Sequence, residues 1–201
     1  GISALLLKKI KGARLIFNVA DLWPEAAEKM GVITNKVLLK ISRKLEELLY
    51  ASSAVIVGQT LGIVDNIKER FPAKTVYWMP NGVDVALYNP DLHSNWREKN
   101  GFLPNDFILI YPGTIGQIYS WDMVFMAAKE LKTYPDIKWV IIGSGQKKEE
   151  IEEIKKQMNL DNVFLYDPVP KASLPEIWKA VDLLFLQLRN IEINKRVVPA
   201  K

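Results

Sequence analysis

Cysteine is absent from the 201 residues, and histidine occurs once, at position 93. The first absence excludes a disulfide framework, a thiolate nucleophile and any cysteine-ligated metal, and it permits a reducing compartment. One imidazole cannot build a metal cluster or a catalytic triad alone. His93 closes the turn-rich stretch Asn89-Pro90-Asp91-Leu92-His93 and is expected in a surface loop. Long apolar runs are missing as well: Ala4 to Leu7 and Val181 to Leu188 are short or interrupted by a charge, against the ~18 residues a membrane span needs. In Gly1 to Gly12 the lysines follow the leucines, the reverse of a secretory signal, so the segment reads as the end of an ordinary helix.

The excess of positive over negative charge is small. The net charge is +4, with 12 basic and 8 acidic side chains in residues 1–90 and 15 of each in residues 91–201. A dense basic groove interleaved with aromatics is lacking, which argues against nucleic acid. The surplus remains compatible with attraction to an anionic membrane surface. Lys36, Lys40, Arg43 and Lys44 alternate with leucines between Asn35 and Tyr50. That pattern suits a membrane-surface helix, but packing against a core explains it more simply. Residues 91–201 contain no Asp-x-Asp arrangement, so no metal site is expected there.

What is present is a rhythm. Short β-branched or apolar runs at 14–19, 54–57, 75–79, 107–111, 138–142, 162–166 and 183–188 alternate with helical patterns at 35–50, 61–71, 121–134, 147–158 and 174–180. Alternation of this kind predicts an α/β protein built of parallel βα units. The segment from Pro80 to Asn105, with three prolines and two glycines, breaks the rhythm and reads as a domain boundary. Trp139, Trp178 and Trp121 fall at core positions of strands or helices, leaving Trp23 and Tyr119 as the aromatics to test for substrate contact.

Tyr111-Pro112-Gly113-Thr114-Ile115-Gly116-Gln117 follows a buried strand and precedes a helix, a unit whose glycines and helix amides can receive an anion such as a diphosphate. The glycines serve equally well simply to make the turn. Gly143-Ser144-Gly145 repeats the arrangement after the next strand.

Val76-Tyr77-Trp78-Met79-Pro80-Asn81-Gly82-Val83-Asp84, then Gly113-Thr114-Ile115-Gly116, then Val140-Ile141-Ile142-Gly143-Ser144-Gly145 resemble successive landmarks of the retaining group-one, or family four, glycosyltransferases. Asp21-Leu22-Trp23-Pro24-Glu25 and Arg196-Val197-Val198-Pro199-Ala200-Lys201 resemble the branch that builds surface polysaccharides. The resemblance implies the GT-B fold, with two Rossmann-like parallel-sheet domains, both incomplete in this chain. Residues 1–88 would be the back part of the acceptor-side domain and residues 89–201 the front part of the nucleotide-sugar donor domain.

The activity so implied is transfer of a sugar from a nucleotide-diphosphate sugar to a saccharide or lipid-linked acceptor, with retention and without metal or cofactor. Gly113, Thr114, Ile115, Gly116, Arg196 and Lys201 would hold the diphosphate, and Gly143, Gly145, Pro168 and Val169 the nucleotide. Asp21 would take the catalytic place beside the donor sugar. Trp23 and Glu25 would face the acceptor, with Glu25 more simply explained as an acid in a helix's first turn. The resemblance places the protein in the cytoplasm, at the inner face of the membrane, and exposed sheet edges make it a candidate for dimerisation. Relatives carry an Arg and a Lys just after the glycine loop, where this chain has Gln117 and Ser120, and the Glu-containing acidic pair, spaced eight apart, that they carry shortly after the position of Lys201 is not part of this sequence. A non-catalytic nucleotide-sugar-binding fragment and a GT-B-type epimerase are the alternatives.

Overall fold

The computed structural model describes residues 1–196, 198 and 199. The chain divides into two compact units, Gly1–Gly82 joined by the segment from Asn190 onward, and Val83–Arg189.

In the first unit, helix α1 (Ile2–Lys11) ends on Gly12 in the left-handed conformation at φ 63°, leading into strand β1 (Ile16–Val19). Short helix α2 (Glu25–Lys29) and long helix α3 (Lys36–Ser52) follow. Asn35 starts α3 by accepting from the amides of Val37 and Leu38 at 3.0 and 3.1 Å, which satisfies two donors that a helix end otherwise leaves open. Strand β2 (Val55–Gly58), helix α4 (Leu61–Arg70) and strand β3 (Val76–Trp78) complete a parallel sheet in the order β1-β2-β3. Val19, Leu22, Tyr50, Ile56, Ile63, Ile67 and Val76 form its core.

Helix α3 buries Leu39, Glu46, Leu49 and Tyr50 but leaves Val37, Ile41 and Leu48 exposed on its other side. One stripe packs on the core, while a second apolar stripe faces outward among lysines.

The second unit begins with a single helical turn, α5 (Trp96–Lys99). Strand β4 (Phe107–Pro112), helix α6 (Trp121–Glu130), strand β5 (Ile137–Ile142), helix α7 (Lys148–Gln157), strand β6 (Val163–Tyr166), helix α8 (Leu174–Ala180) and strand β7 (Leu183–Leu184) then alternate. All pairings are parallel, in the order β6-β5-β4-β7, with β4 in register to β5 from Phe107↔Ile137 to Pro112↔Ile142. Because strand side chains alternate faces, Tyr111, Trp139 and Ile141 join one core with Phe125 and Ile151, while Ile108, Ile110, Val140 and Ile142 join another with Phe102 and Ile177. A sheet buried on both faces gives the continuous apolar runs seen in the sequence.

Two boundaries differ from the sequence reading of 1–88 and 89–201. The first unit ends at Gly82, and the segment from Asn190 returns to it instead of staying with the second. Ile193 is buried in the first unit's core and Ile191 packs against it, so apolar burial decides the attachment.

Candidate functional site

Strand β4 lies inside its sheet, with β5 on one side and the later strand β7 on the other. The winding direction thus reverses beside β4, and open parallel sheets bind ligands outside the carboxyl ends of the strands at such a reversal. The loops that follow β4, β5, β6 and β7 all leave from this one edge of the sheet.

The loops after β4 and β5 are clipped together. Gly113 N–H donates to the Ile142 carbonyl at 2.8 Å, Ile115 N–H to Ser144 at 2.8 Å, and Lys147 N–H to Ile115 at 3.1 Å. Contact this close requires glycine on the second loop. A Cβ on Gly143 would lie 1.8 Å from the Gly113 oxygen, and one on Gly145 would lie 2.4 Å from the Ile115 oxygen. These two glycines therefore have a packing function whether or not a nucleotide also approaches them.

The same bonds sort the amides of the glycine loop. Those of Gly113 and Ile115 are engaged internally, whereas those of Thr114 and Gly116 donate to no main-chain acceptor among the described residues. Their carbonyls are held from the protein side: Tyr111 Oη donates to Thr114 at 2.5 Å and Trp121 Nε1 to Gly116 at 3.0 Å. A Cβ on Gly116 would meet only the Thr114 methyl, at 3.9 Å. Fixed peptides with unengaged amides are what a developing negative charge requires.

The loop after β7 is tied to the same place. Tyr119 and Leu188 form an antiparallel bridge, Ser120 N–H donates to Gln187 at 2.9 Å, and Arg189 N–H to Ile118 at 2.9 Å. Tyr119 is buried at 9 % exposure with its ring 5.0 Å from that of Tyr111. It serves the core rather than presenting a surface, correcting the expectation of substrate contact. Burial and the neighbouring Tyr119 push the Tyr111 hydroxyl well above the usual tyrosine range, so it remains a hydrogen-bond donor. Lys147 and Lys148, beyond β5, pair with Glu150 and Asp167 respectively. Pro168 and Val169 follow β6 at the same edge, Pro168 exposed and Val169 packed partly on the core.

In the first unit, Asp21 and Trp23 follow β1, with Trp23 N–H donating to the Asp21 carbonyl at 2.9 Å and a cis peptide joining Trp23 to Pro24. Asp21 is exposed, and Trp23 is 52 % exposed. Both line a cavity of about 160 Å³ with Asn18, Ser42, Glu46 and Tyr50. Glu25 opens α2 as a first-turn acid without forming a side-chain cap.

Glu46 was not singled out by sequence reasoning. It is buried, and Arg70 grips it through both guanidinium nitrogens at 2.9 and 2.5 Å. The available signal was an acid on the apolar stripe of α3.

Arg196 is held within the first unit, where its carbonyl accepts from Thr60 Oγ1 at 2.5 Å and its guanidinium lies 3.9 Å from Glu69. Its Cα would be 2.7 Å from a Cβ on Gly62. The sequence reading grouped Arg196 with the fourth strand of the donor domain; packing on α4 attaches it elsewhere. Lys201 lies outside the described residues.

Two parallel α/β sheets with glycine turns at the strand ends define a class that comparison with solved structures makes specific. The chain superposes on Anabaena HepE, solved with UDP and glucose, at a TM-score of 0.72 and 16% identity, covering 91% of this chain and 48% of that one. Its fold is that of the GT-B glycosyltransferases. Residues 93–192 match the family model "Glycosyl transferases group 1", so the chain carries a group 1 glycosyl transferase domain. Among curated proteins it is 25% identical over 147 residues to D-inositol 3-phosphate glycosyltransferase of Segniliparus rotundus, covering 69% of this chain and 33% of that protein. It is 26% identical over 128 residues to the lipopolysaccharide 1,2-N-acetylglucosaminetransferase of Salmonella typhimurium, covering 62% and 34%. The chain thus spans about a third of these two curated relatives and about half of the solved one.

Proposed function

We propose that the protein is a metal-independent, retaining glycosyltransferase of surface-polysaccharide synthesis that moves a sugar from a nucleotide-diphosphate sugar to a saccharide or lipid-linked acceptor. The observation that carries this reading is the loop after β4 at the winding reversal, where the Thr114 and Gly116 amides donate to no main-chain acceptor among the described residues while Tyr111 and Trp121 hold the carbonyls of the same two residues, within the stretch that matches the group 1 model. A leaving diphosphate needs preorganised donors of this kind. UDP is the proposed nucleotide, since HepE was solved with it.

In this reading Gly143, Gly145, Pro168 and Val169 border the nucleotide, and Lys201 adds a cation to the diphosphate. Asp21 acts beside the donor sugar, and Trp23 and Glu25 face the acceptor. The outward stripe of Val37, Ile41 and Leu48, set among Lys36, Lys40 and Lys44, supports peripheral contact with the inner face of a membrane. The edge strand β1, with Ile16 at 65 % exposure, supports pairing of two copies.

The test is calorimetric titration of the chain with UDP and with Gly116→Leu as the altered loop. UDP binding that the substitution abolishes is expected. UDP binding unchanged by Gly116→Leu would remove the loop from the site. Retention is read from the anomeric configuration of the product by NMR, and inversion would end that part of the reading.

A further inference from the structure

We infer that the cavity at the carboxyl ends of β2 and β3 is a saccharide subsite, taking a neutral sugar unit of the acceptor beside the one that reacts; this rests on the acceptor-side reading above and extends it. The cavity measures about 460 Å³ and belongs wholly to the first unit. Small-molecule sites fall in the range of roughly 300–1,000 Å³. Gln59 and Leu61 line it from beyond β2, Trp78 and Asn81 from the end of β3, and Lys195 and Arg196 from the returning segment.

Its walls are fixed by main-chain contacts. Gln59 N–H donates to the Val19 carbonyl at 3.2 Å and Met79 N–H to Gly58 at 3.0 Å, which ties the ends of all three strands together. Thr60 Oγ1 accepts from the Ile63 N–H at 3.1 Å and donates to the Arg196 carbonyl at 2.5 Å. Gly62 permits that approach, since a Cβ there would lie 2.7 Å from the Arg196 Cα.

The lining has the chemistry of an uncharged, hydroxyl-rich ligand. Trp78, the last residue of β3, is 55 % exposed, and an indole face open to solvent can cover the C–H face of a sugar ring. Asn81 Nδ2 donates to Gln59 Oε1 at 3.2 Å, and the Gln59 amide hydrogens and the Asn81 side-chain oxygen have no further partner among the described residues. A donor and an acceptor held side by side suit neighbouring hydroxyls, each of which both gives and takes a hydrogen bond. The cations already face carboxylates: Lys195 lies 2.8 Å from Glu192 and Arg196 lies 3.9 Å from Glu69. An anion would have to compete with both.

The place on the sheet also fits. Asp21 and Trp23 leave the end of β1, and β2 lies between β1 and β3. With neighbouring strands about 4.8 Å apart, the ends of β1 and β3 are separated by roughly 10 Å along one edge. An acceptor of two or more sugar units laid along that edge meets both.

The experiment is saturation-transfer NMR of the chain with glucose, N-acetylglucosamine, maltose, cellobiose and N,N′-diacetylchitobiose, with inorganic phosphate and UDP titrated in parallel. A disaccharide is expected to bind with a millimolar dissociation constant, more tightly than its monosaccharide. Trp78→Ala should weaken it roughly tenfold or more and leave UDP within about twofold, and Asn81→Leu should weaken it less. Binding of none of the sugars, phosphate bound in their place, or disaccharide binding unchanged in Trp78→Ala would overturn the subsite. Dependence on Trp23 alone would strike the subsite and leave the acceptor-side reading standing; dependence on Trp78 alone would do the reverse. Circular dichroism melts matching the parent chain keep a folding defect from passing as a binding one.

Discussion

The hydrogen of Gly143 stands where a methyl group would be 1.8 Å from the carbonyl oxygen of Gly113. The two loops that border the candidate site are therefore in main-chain contact, and one glycine sets the position of the other loop. Gly143→Ala must push the glycine loop away or open the β5 turn, at a cost of about 2–4 kcal/mol. Gly116→Ala, with only the Thr114 methyl 3.9 Å away, should leave stability within about 0.5 kcal/mol. Urea denaturation of both variants checks this, and equal midpoints would contradict it.

Removing Arg70 leaves Glu46 as a buried carboxylate without its bidentate partner. Arg70 also sits 5.9 and 5.4 Å from the ring centroids of Tyr50 and Phe71, so truncation loses packing as well. Arg70→Ala should cost about 2–4 kcal/mol, whereas the double replacement Glu46→Leu with Arg70→Met should recover most of that loss. A double variant as weak as the single one in chemical denaturation would show that the cost is not the stranded charge.

Alkaline pH should destabilise the fold. Burial, with Glu46 beside it, raises the Tyr50 hydroxyl above its ordinary value of 10.0, and burial with Tyr119 raises Tyr111. Above pH 10 the unfolded chain releases these protons while the folded chain keeps them, so stability falls as pH rises, by about 1.4 kcal/mol per pH unit for each tyrosine. Tyr50→Phe should flatten the slope of stability against pH above 10. An unchanged slope would mean that Tyr50 ionises equally in both states.

Donor binding should not need a divalent ion. No group of three or more His, Cys, Asp or Glu side chains that could hold a metal occurs among the described residues, and helix and loop amides take the ion's place in the proposed site. UDP affinity is expected to be the same with EDTA as with magnesium or manganese. A large loss on chelation, restored by either ion, would contradict the metal-independent mechanism.

The α/β rhythm was legible because buried parallel strands write continuous apolar runs and helices write a 3.6-residue period; Phe107 to Tyr111 and Lys138 to Ile142 lie within β4 and β5 almost residue for residue. The run from Leu183 to Leu188 was less so. Only Leu183–Leu184 pairs as a strand with β4, and Leu188 instead bridges Tyr119. An apolar run announces burial but does not name its partner.

The sequence alone determined the fold class, the positions of the glycine turns and the core status of Trp121 and Trp139, because propensity, periodicity and glycine's lack of a side chain act within a few residues of chain. Only the tertiary structure decided that Gly143 and Gly145 admit the backbone of the neighbouring loop, that Tyr119 is core, that Glu46 is paired with Arg70, and that Arg196 returns to the first unit. Each of these depends on contact between segments far apart in the chain. Such contacts are chosen by close packing and the pairing of buried charge, which no local pattern records.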